Sequence, residues 1–343
     1  MPVLIRELLF AIGKKLVKDG DSVDVIKVAL SGKEALEAMK NVFASVSTLE
    51  IDKKFCAIGW GDPCCKFGFR NDKQYLKFLM HCIGNSVADL RVKCSTFADT
   101  HQTIYNPILN KMLARKLRSF SLLVDGYAVR KFFGEFLLQF SSALKNVKIP
   151  SEFMTRTFRD IFNLDSVIVL DSGNKNLLLF CCKTTSLSYG GPLPFAIFNR
   201  FVTKNLQHST PLFSTKKLIF GPRYLYSQHL NYGRLRDLMK YFPELEYVKF
   251  NNALLFFIDD VRRLIHSYTE MINESIKAPA KIVVEFFKYN RSMGCPTLDS
   301  YKADYLDNTF EYDEAVSAFF CFRKNVPMAG SEVRVFEVLF PKK

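Results

Sequence analysis

Apolar residues recur along this chain in a short, spaced pattern that predicts strands. The pattern apolar-x-x-apolar-x-apolar is matched in full six times and twice more with Thr in its first position. The last two apolar positions of each match alternate along the chain, as expected of a strand with one buried face. The eight matches are Val46/Leu49/Ile51, Val87/Leu90/Val92, Leu117/Phe120/Leu122, Leu144/Val147/Ile149, Leu164/Val167/Val169, Thr184/Leu187/Tyr189, Thr215/Leu218/Phe220 and Leu245/Val248/Phe250.

Stretches with helical periodicity lie between several of these predicted strands, at 74–83, 129–144 and 235–242. Strand, turn and helix repeating at this period predict a parallel stack of repeat units. The alternative is an ordinary α/β domain, because the same pattern arises easily in a chain that is 48% hydrophobic.

The C-terminal part departs from this rhythm. Strands are predicted at Lys281–Lys288, Ala318–Arg323 and Glu332–Leu339, around a polar run at Asn290–Asp313. We expect these strands to cover the open edge of the last repeat, which would otherwise invite pairing with another chain. A second hypothesis assigns the stretch from Arg291 to Tyr305 to a loop that shapes a target site.

The repeated units resemble leucine-rich repeats, and RDLMKYFPELEYVKF at Arg236–Phe250 is the best example. The Asn that the family carries shortly after the third apolar position is replaced by Glu152, Ser172 and Ala253 in three units. That Asn normally satisfies backbone groups at the turn, so these units must satisfy them in another way. The resemblance implies a curved solenoid that binds protein.

The first 43 residues, MPVLIRELLFAIGKKLVKDGDSVDVIKVALSGKEALEAMKNVF, predict two amphipathic helices joined by a turn at Lys18–Asp21. This arrangement resembles an F-box, the helical module that binds the Skp-type adaptor of cullin-RING ubiquitin ligases. Pro2 and Leu4 stand at the motif's start, and the sequence departs from the family at Met1, at Glu7 and after its Ser-x-Lys element. The first predicted helix carries Leu8, Leu9, Ile12 and Leu16. A turn follows, and Asp21 or Ser22 can cap the second helix. That helix carries Val25, Ile26, Ala29 and Leu30 and is followed by Ser31 and Lys33. The alternative is a pair of helices that only caps the repeats.

An F-box followed by irregular leucine-rich units is an architecture of F-box families, particularly the expanded nematode sets. The resemblance therefore implies an α/β fold with an F-box-like helical module at 1–43, a curved leucine-rich-repeat-like solenoid of parallel sheet and outer helices at 44–280, and a strand-rich cap at 281–343. It implies the substrate receptor of an SCF-type ubiquitin ligase, which binds a Skp-type adaptor and a target protein. The predicted adaptor-binding residues are Pro2, Leu4, Leu8, Ile12, Val25, Ile26 and Leu30. The alternative is a binding scaffold without a ligase link.

The formal charge of +14 favours an anionic partner. In the predicted repeats, residues between the apolar positions face the binding surface. Basic residues dominate this set, although Glu50, Asp89, Asp165 and Glu246 dilute the positive charge. We therefore predict an acidic or phosphorylated target, and we do not expect nucleic acid as the main partner, although the alternative scaffold retains it. The predicted target-binding residues are Arg91, Arg118, Lys145, Lys148, Lys217, Tyr247 and Lys249.

The sequence has none of the common phosphate-binding, zinc-protease or serine-hydrolase motifs. We therefore expect no enzymatic activity, no cofactor and no metal. A zinc site is the minor alternative for the cysteines and histidines between Cys56 and His101, but their spacing is poor. The nine cysteines fit reduced thiols, and no signal peptide or membrane span is apparent, so we expect a soluble protein of the cytoplasm or nucleus.

Overall fold

A computed structural model describes residues 6–69, 73–94, 117–123, 127–150, 153, 162–170, 183–190, 214–223, 239, 241–254, 258–273, 278–288, 297–314, 318–328 and 332–342. Within these ranges the protein is mixed α/β, with seven helices and fourteen strands. The chain forms two compact units, which we call unit 1 (Met1–Leu164) and unit 2 (Asp165–Lys343). No helix in the described ranges combines the length and the apolarity needed to cross a lipid bilayer.

Unit 1 begins with three helices, α1 (Arg6–Asp19), α2 (Ser22–Leu30) and α3 (Lys33–Ala44). Asp21 caps α2 as the sequence predicts, because its carboxylate accepts hydrogen bonds from the backbone N–H groups of Val23 and Asp24. Gly20 has a φ of 89°, and the left-handed turn between α1 and α2 therefore suits glycine. The helices bury Val17, Val25, Ala29, Met39, Val42 and Phe43.

The strands of unit 1 are β1 (Thr48–Ile51), β2 (Phe55–Trp60), β3 (Asp62–Gly68), β4 (Asp89–Val92), β5 (Ser119–Leu122) and β6 (Asn146–Pro150). They lie in the order β6-β5-β4-β1-β2-β3. The pairs β1–β4, β4–β5 and β5–β6 are parallel, whereas β1–β2 and β2–β3 are antiparallel. The hairpin β2–β3 therefore covers the β1 edge of the parallel strands, a role the sequence analysis did not predict.

Inward side chains of unit 1 lie in rows across the sheet. Leu49, Leu90, Phe120 and Val147 are register partners, and so are Ile51, Val92 and Leu122. Two further helices, α4 (Lys73–Ile83) and α5 (Tyr127–Leu138), supply packing partners: the ring of Phe133 on α5 lies 5.2 Å from that of Phe120. On α4, the ring of Tyr75 lies 6.2 Å from that of Phe43.

Backbone hydrogen bonds repeat from strand to strand at the entrance of each parallel strand. The carbonyl of Ser47 accepts the N–H groups of Ala88 and Asp89, and the carbonyl of Ala88 accepts those of Arg118 and Ser119. The carbonyl of Arg118 then accepts those of Lys145 and Asn146. Successive strands therefore enter the sheet by one recurring geometry, which satisfies their backbone groups.

Unit 2 contains β7 (Leu164–Leu170), which starts at the unit boundary, and β8 (Thr184–Tyr189), β9 (Lys217–Arg223), β10 (Tyr247–Leu254), β11 (Lys281–Lys288), β12 (Glu311–Asp313), β13 (Phe319–Pro327) and β14 (Val333–Pro341). Their order is β12-β13-β14-β11-β10-β9-β8-β7. The pairs β8–β9, β9–β10, β10–β11 and β11–β14 are parallel, and β13 is antiparallel to β14 and β12 to β13. The C-terminal strands do cover the edge of β10, but β11 and β14 first extend the parallel ladder.

Unit 2 has rows of the same kind. Leu187, Leu218, Val248, Ile282 and Phe336 are register partners across five strands. The helices α6 (Ile258–Asn273) and α7 (Leu298–Tyr305) pack on this side: the ring of Tyr268 lies 4.9 Å from that of Phe250, and the ring of Tyr301 lies 4.4 Å from that of Phe340. The predicted loop between Arg291 and Tyr305 is therefore wrong from Leu298 onward, because this stretch is a helix with Tyr301 buried.

The two threonines in the first position of a repeat have a structural explanation. Thr184 and Thr215 are buried, and the Thr215 hydroxyl donates to the carbonyl of Thr184 at 2.9 Å. The Thr184 hydroxyl lies within hydrogen-bond distance of the carbonyls of Asp165 and Ser186. Each hydroxyl thus replaces an apolar contact by a bond to the backbone.

All eight predicted strands are present, at β1 and at β4 to β10, with their apolar residues buried. The predicted helix at 74–83 corresponds to α4, and the one starting at 129 corresponds to α5, which ends at Leu138. Most of the predicted helix at 235–242 lies outside the described residues.

Candidate binding surfaces

Exposed apolar side chains cluster on the first two helices. The described residues include six large exposed apolar side chains, and four of them lie on α1 and α2: Leu8 (51% exposed), Ile12 (39%), Val23 (55%) and Leu30 (72%). Leu8 and Ile12 are one helical turn apart, and Val23 and Leu30 are seven residues apart, so each pair lies on one helix face. We call these four residues the helix patch.

The opposite faces of these helices are buried within unit 1. Met39 and Val42 of α3 pack so closely on α1 that a Cβ at Gly13 would lie 2.5 Å from the sulfur of Met39. Trp60 donates a hydrogen bond of 2.8 Å from its indole Nε1 to the carbonyl of Ser45 at the end of α3, and Lys14 of α1 lies 5.3 Å from the centre of its ring. The helices therefore cover part of unit 1 and still present an apolar surface.

The predicted adaptor-binding residues separate into three groups. Leu8, Ile12 and Leu30 are exposed, and Ile26 is half-buried. Val25 is fully buried, so its assignment to an adaptor-binding surface is corrected: α2 turns Val25 and Ala29 inward. Pro2 and Leu4 lie outside the described residues. Val23 was not predicted, although its spacing from Leu30 is visible in the sequence.

On the strands, the residues between the inward positions form a second surface, which we call the polar face. In unit 1 its strongest contacts involve Arg91, which donates from Nε and Nη2 to the Asp89 carboxylate at 3.1 and 2.9 Å. Nη2 also donates to the carbonyl of Gly61 at 2.6 Å, and Nη1 lies 3.4 Å from the exposed Asp62 carboxylate. Burial opposes the charge of Arg91, but these partners outweigh it and raise the pKa of the guanidinium.

Three other predicted target-binding residues in unit 1 differ from Arg91 in their charged partners. Arg118 is exposed, Lys145 and Lys148 are half-buried, and none of the three has a carboxylate partner among the described residues. These residues lie on two neighbouring segments of the sheet. The carbonyl of Arg118 accepts a hydrogen bond from the N–H of Lys145, and Ser121 is the register partner of Lys148. We call Arg118, Lys145 and Lys148 the cationic patch.

The polar face of unit 2 carries paired charges. Lys249 contacts Glu285 at 2.7 Å, and the buried carboxylate of Glu337 contacts Lys281 at 2.8 Å and Arg323 at 2.9 Å. Arg323 also contacts Asp313 at 2.8 Å. Burial, followed by the charges of Glu337 and Asp313, raises the pKa of the Cys321 thiol on the same strands to about 11.

The remaining predicted target-binding residues of unit 2 are Lys217 and Tyr247. Lys217 lies 5.0 Å from the centre of the Tyr247 ring, on the neighbouring strand. Tyr247 packs against a small apolar cluster of Val283, Cys321 and Leu339. Burial, followed by the charges of Glu337 and Glu285, raises the pKa of Tyr247, so its hydroxyl is protonated at neutral pH.

Unit 2 also contains an open pocket of about 660 Å³ at the entrances of β9, β10 and β14. Four of the five charged side chains in its lining form ion pairs, Lys216 with Glu246 and Arg334 with Glu332, and the fifth is Glu244. In the described ranges no group of three or more His, Cys, Asp or Glu side chains is placed to hold a metal ion. The candidate zinc ligand His101 lies outside these ranges.

Comparison with models of known protein families gives no match, and comparison with curated proteins gives no significant match.

Proposed function

We propose that this protein is a substrate receptor: the helix patch binds a Skp-type adaptor of a cullin-RING ubiquitin ligase, and the strand faces hold a target protein. The observation that carries the proposal is the concentration of exposed apolar side chains on α1 and α2. Exposed apolar clusters of this kind are typical of protein–protein interaction sites. The receptor itself would perform no chemistry, because ubiquitin transfer belongs to other subunits.

The strands support the repeat part of the proposal. Their inward residues are in register across neighbouring strands, and one carbonyl accepts two N–H groups at each entrance in unit 1. In leucine-rich repeats a conserved Asn satisfies the backbone near the strand's end. Here Asn251 of β10 donates a hydrogen bond of 2.8 Å from Nδ2 to the carbonyl of Phe220 on β9. Asn251 lies two residues before Ala253, the position at which the family pattern has its Asn.

The second candidate is a repeat scaffold without a ligase link, which binds acidic protein or nucleic acid. The observation that favours it is the close packing of α1 and α3 and the contact of Trp60 with both helices. Helices that only cover the repeats need this buried face and no exposed binding surface. The exposed face of α1 and α2 distinguishes the two candidates, because a cap gains nothing from apolar residues in water.

Co-purification of the full chain with a Skp-type adaptor tests the proposal. The double variant Leu8→Asp, Ile12→Asp should lose the adaptor by at least tenfold in affinity and keep its fold, because both side chains are exposed. The matched control is Val333→Asp in unit 2, which changes an apolar side chain of similar exposure and should keep the adaptor. A wild-type chain that does not bind the adaptor, or a double variant that binds it normally, would overturn the proposal.

A further inference from the structure

The described cations at the parallel strands of unit 1 fall into two groups, those at β4 and those on or just before β5 and β6. On β4 and just after it, Arg91 is bound to Asp89, and Lys93 lies 2.8 Å from the buried carboxylate of Glu50. These four charges neutralise one another within the fold. Lys93 and Glu50 join β4 to β1, whereas Arg91 and Asp89 pair within β4, and both pairs leave little net charge for a ligand.

The next two strands carry only positive charge. The segments 117–123 (LRSFSLL) and 144–150 (LKNVKIP) contain three cations and no Asp or Glu. Arg118 and Lys145 lie side by side, since the carbonyl of Arg118 accepts the N–H of Lys145 at 2.9 Å. Lys148 follows on β6, about 10 Å along the strand from Lys145 at ~3.3 Å per residue.

The uncharged side chains of the same segments are also hydrogen-bond donors. Ser119 pairs in register with Asn146, and Ser121 with Lys148, so two hydroxyls and one amide lie among the three cations. The guanidinium of Arg118 is suited to bidentate bonds with a planar or tetrahedral oxyanion. A group with several negative oxygens would therefore find donors from two adjacent strands.

We propose that the cationic patch binds a phosphorylated segment of a protein partner. A phosphoserine or phosphothreonine carries about −1.5 to −2 charges and three acceptor oxygens, which matches three cations better than one carboxylate does. The role of this partner as a ligase target rests on the function proposed above, whereas phosphate recognition by the patch does not.

Nucleic acid fits the patch less well. The polar face of β5 and β6 presents Ser119, Ser121, Asn146 and Lys148, and none of these is an aromatic residue on which a base could stack. The adjacent β4 carries Asp89 on this face, in register with Ser119. A chain of phosphates crossing from β6 to β4 would find no unpaired cation at β4, because Arg91 is held by Asp89 and Lys93 by Glu50, whereas a single phosphate needs only the cations at β5 and β6.

Fluorescence anisotropy of the full chain with three labelled probes tests the proposal. The probes are a degenerate peptide mixture with a central phosphoserine, the same mixture with serine, and a 12-nucleotide oligouridine. We expect the phosphorylated mixture to bind at least tenfold more tightly than the serine mixture. The triple variant Arg118→Gln, Lys145→Gln, Lys148→Gln should lose this binding by at least tenfold.

A matched triple variant, Lys33→Gln, Lys53→Gln, Lys54→Gln, removes the same charge from exposed positions of unit 1 outside the patch and should bind like the wild type. Circular dichroism checks that both triple variants are folded. Equal binding of the two peptide mixtures, no binding of either, tighter binding of the oligouridine, or an equal loss in the control variant would overturn the proposal.

Adaptor co-purification keeps the two proposals separate. If the phosphorylated mixture binds the patch but no adaptor binds the chain, the phosphate proposal stands and the ligase role fails. If the adaptor binds and the triple variant shows no change with any probe, the ligase role stands and the phosphate proposal fails.

Discussion

Unit 2 pairs Lys249, Lys281 and Arg323 with carboxylates, whereas in unit 1 the cations on and just before β5 and β6 have no carboxylate partner among the described residues. Glu337 in unit 2 is buried between Lys281 and Arg323, and Lys249 has Glu285. In unit 1, no carboxylate contacts Arg118, Lys145 or Lys148 among the described residues. Charged residues at similar strands therefore differ in what they contact. The ion pairs of unit 2 join neighbouring strands, whereas the unpaired cations of unit 1 are accessible to a binding partner.

The largest expected effect is on the stability of unit 2. Replacing Glu337 by Ala leaves Lys281 and Arg323 without their shared buried partner, and we expect a loss of about 3 kcal/mol in the free energy of unfolding, discounted because both cations are partly exposed. Urea unfolding followed by circular dichroism measures it. Trp60, the single Trp of the chain, lies in unit 1, and its fluorescence measures whether the effect extends to that unit.

A change of less than about 1 kcal/mol in the circular dichroism transition of this variant would contradict a structural role for the pairing. Arg118→Ala in unit 1 is the matched control. Because Arg118 is exposed and has no carboxylate partner in the described ranges, its loss should change stability by no more than about 0.5 kcal/mol.

The two units also differ at the strand entrances, where unit 1 has Val46, Val87, Leu117 and Leu144, and unit 2 has the buried Thr184 and Thr215 as well as Leu245. Thr215→Val keeps the shape of the side chain but removes the donor to the carbonyl of Thr184. We expect a loss of about 1–2 kcal/mol. Thr215→Ser, which keeps the hydroxyl, is the control; equal unfolding free energies for Thr215→Val and wild type would show that the hydrogen bond contributes nothing.

The difference between the units can be reduced by adding a carboxylate to unit 1. Ser121 lies in register between Arg91 and Lys148, so Ser121→Asp should stabilise unit 1 by roughly 0.2–1 kcal/mol and weaken phosphopeptide binding several-fold. Ser119→Asp is the control, because it faces Asp89 and should destabilise by a similar amount. Unfolding and anisotropy measure both variants; unchanged phosphopeptide binding by Ser121→Asp would contradict a role for local charge.

The smallest expected effect is a pH dependence in unit 2. Burial alone would raise the pKa of Asp307, but hydrogen bonds from Thr309 and the charge of Lys324 outweigh it and lower the pKa. A carboxyl group with a lowered pKa in the folded state stabilises the fold above its unfolded pKa of about 3.9, and this contribution is lost as the pH falls through the folded pKa. In the variant Asp307→Asn the free energy of unfolding should therefore fall less steeply as the pH is lowered into the acid range. Unfolding measured at a series of pH values tests this, and the same dependence in variant and wild type would contradict the prediction.

The eight repeat strands were predictable because each carries two apolar residues two positions apart, a spacing visible in the sequence even in β1, where Glu50 between them is also buried. The hairpin β2–β3 was not, because Cys56, Ala57, Ile58 and Gly59 are buried in succession and no alternation remains. The helix α1 packs against this hairpin as well as against α3. A short run that is buried throughout has no period from which a strand can be predicted.

The helix patch was predictable only in part, since α2 is apolar on two faces. Val25 and Ala29 form the buried face, and Val23 and Leu30 form the exposed one. Periodicity alone cannot assign either face to the interior. The pairing of Lys249 with Glu285 was not predictable either, because these residues are 36 positions apart and only the register of β10 and β11 brings them together.

The recurring strand entrance of unit 1 has an evolutionary consequence. Each carbonyl in the series Ser47, Ala88 and Arg118 offers the next strand the same attachment point, and the side chains of these residues have little in common. A strand and its connection can therefore be duplicated, lost or lengthened without redesign of its neighbours. Selection then acts on the polar residues of each strand separately, so related chains can keep this frame while they diverge toward different partners.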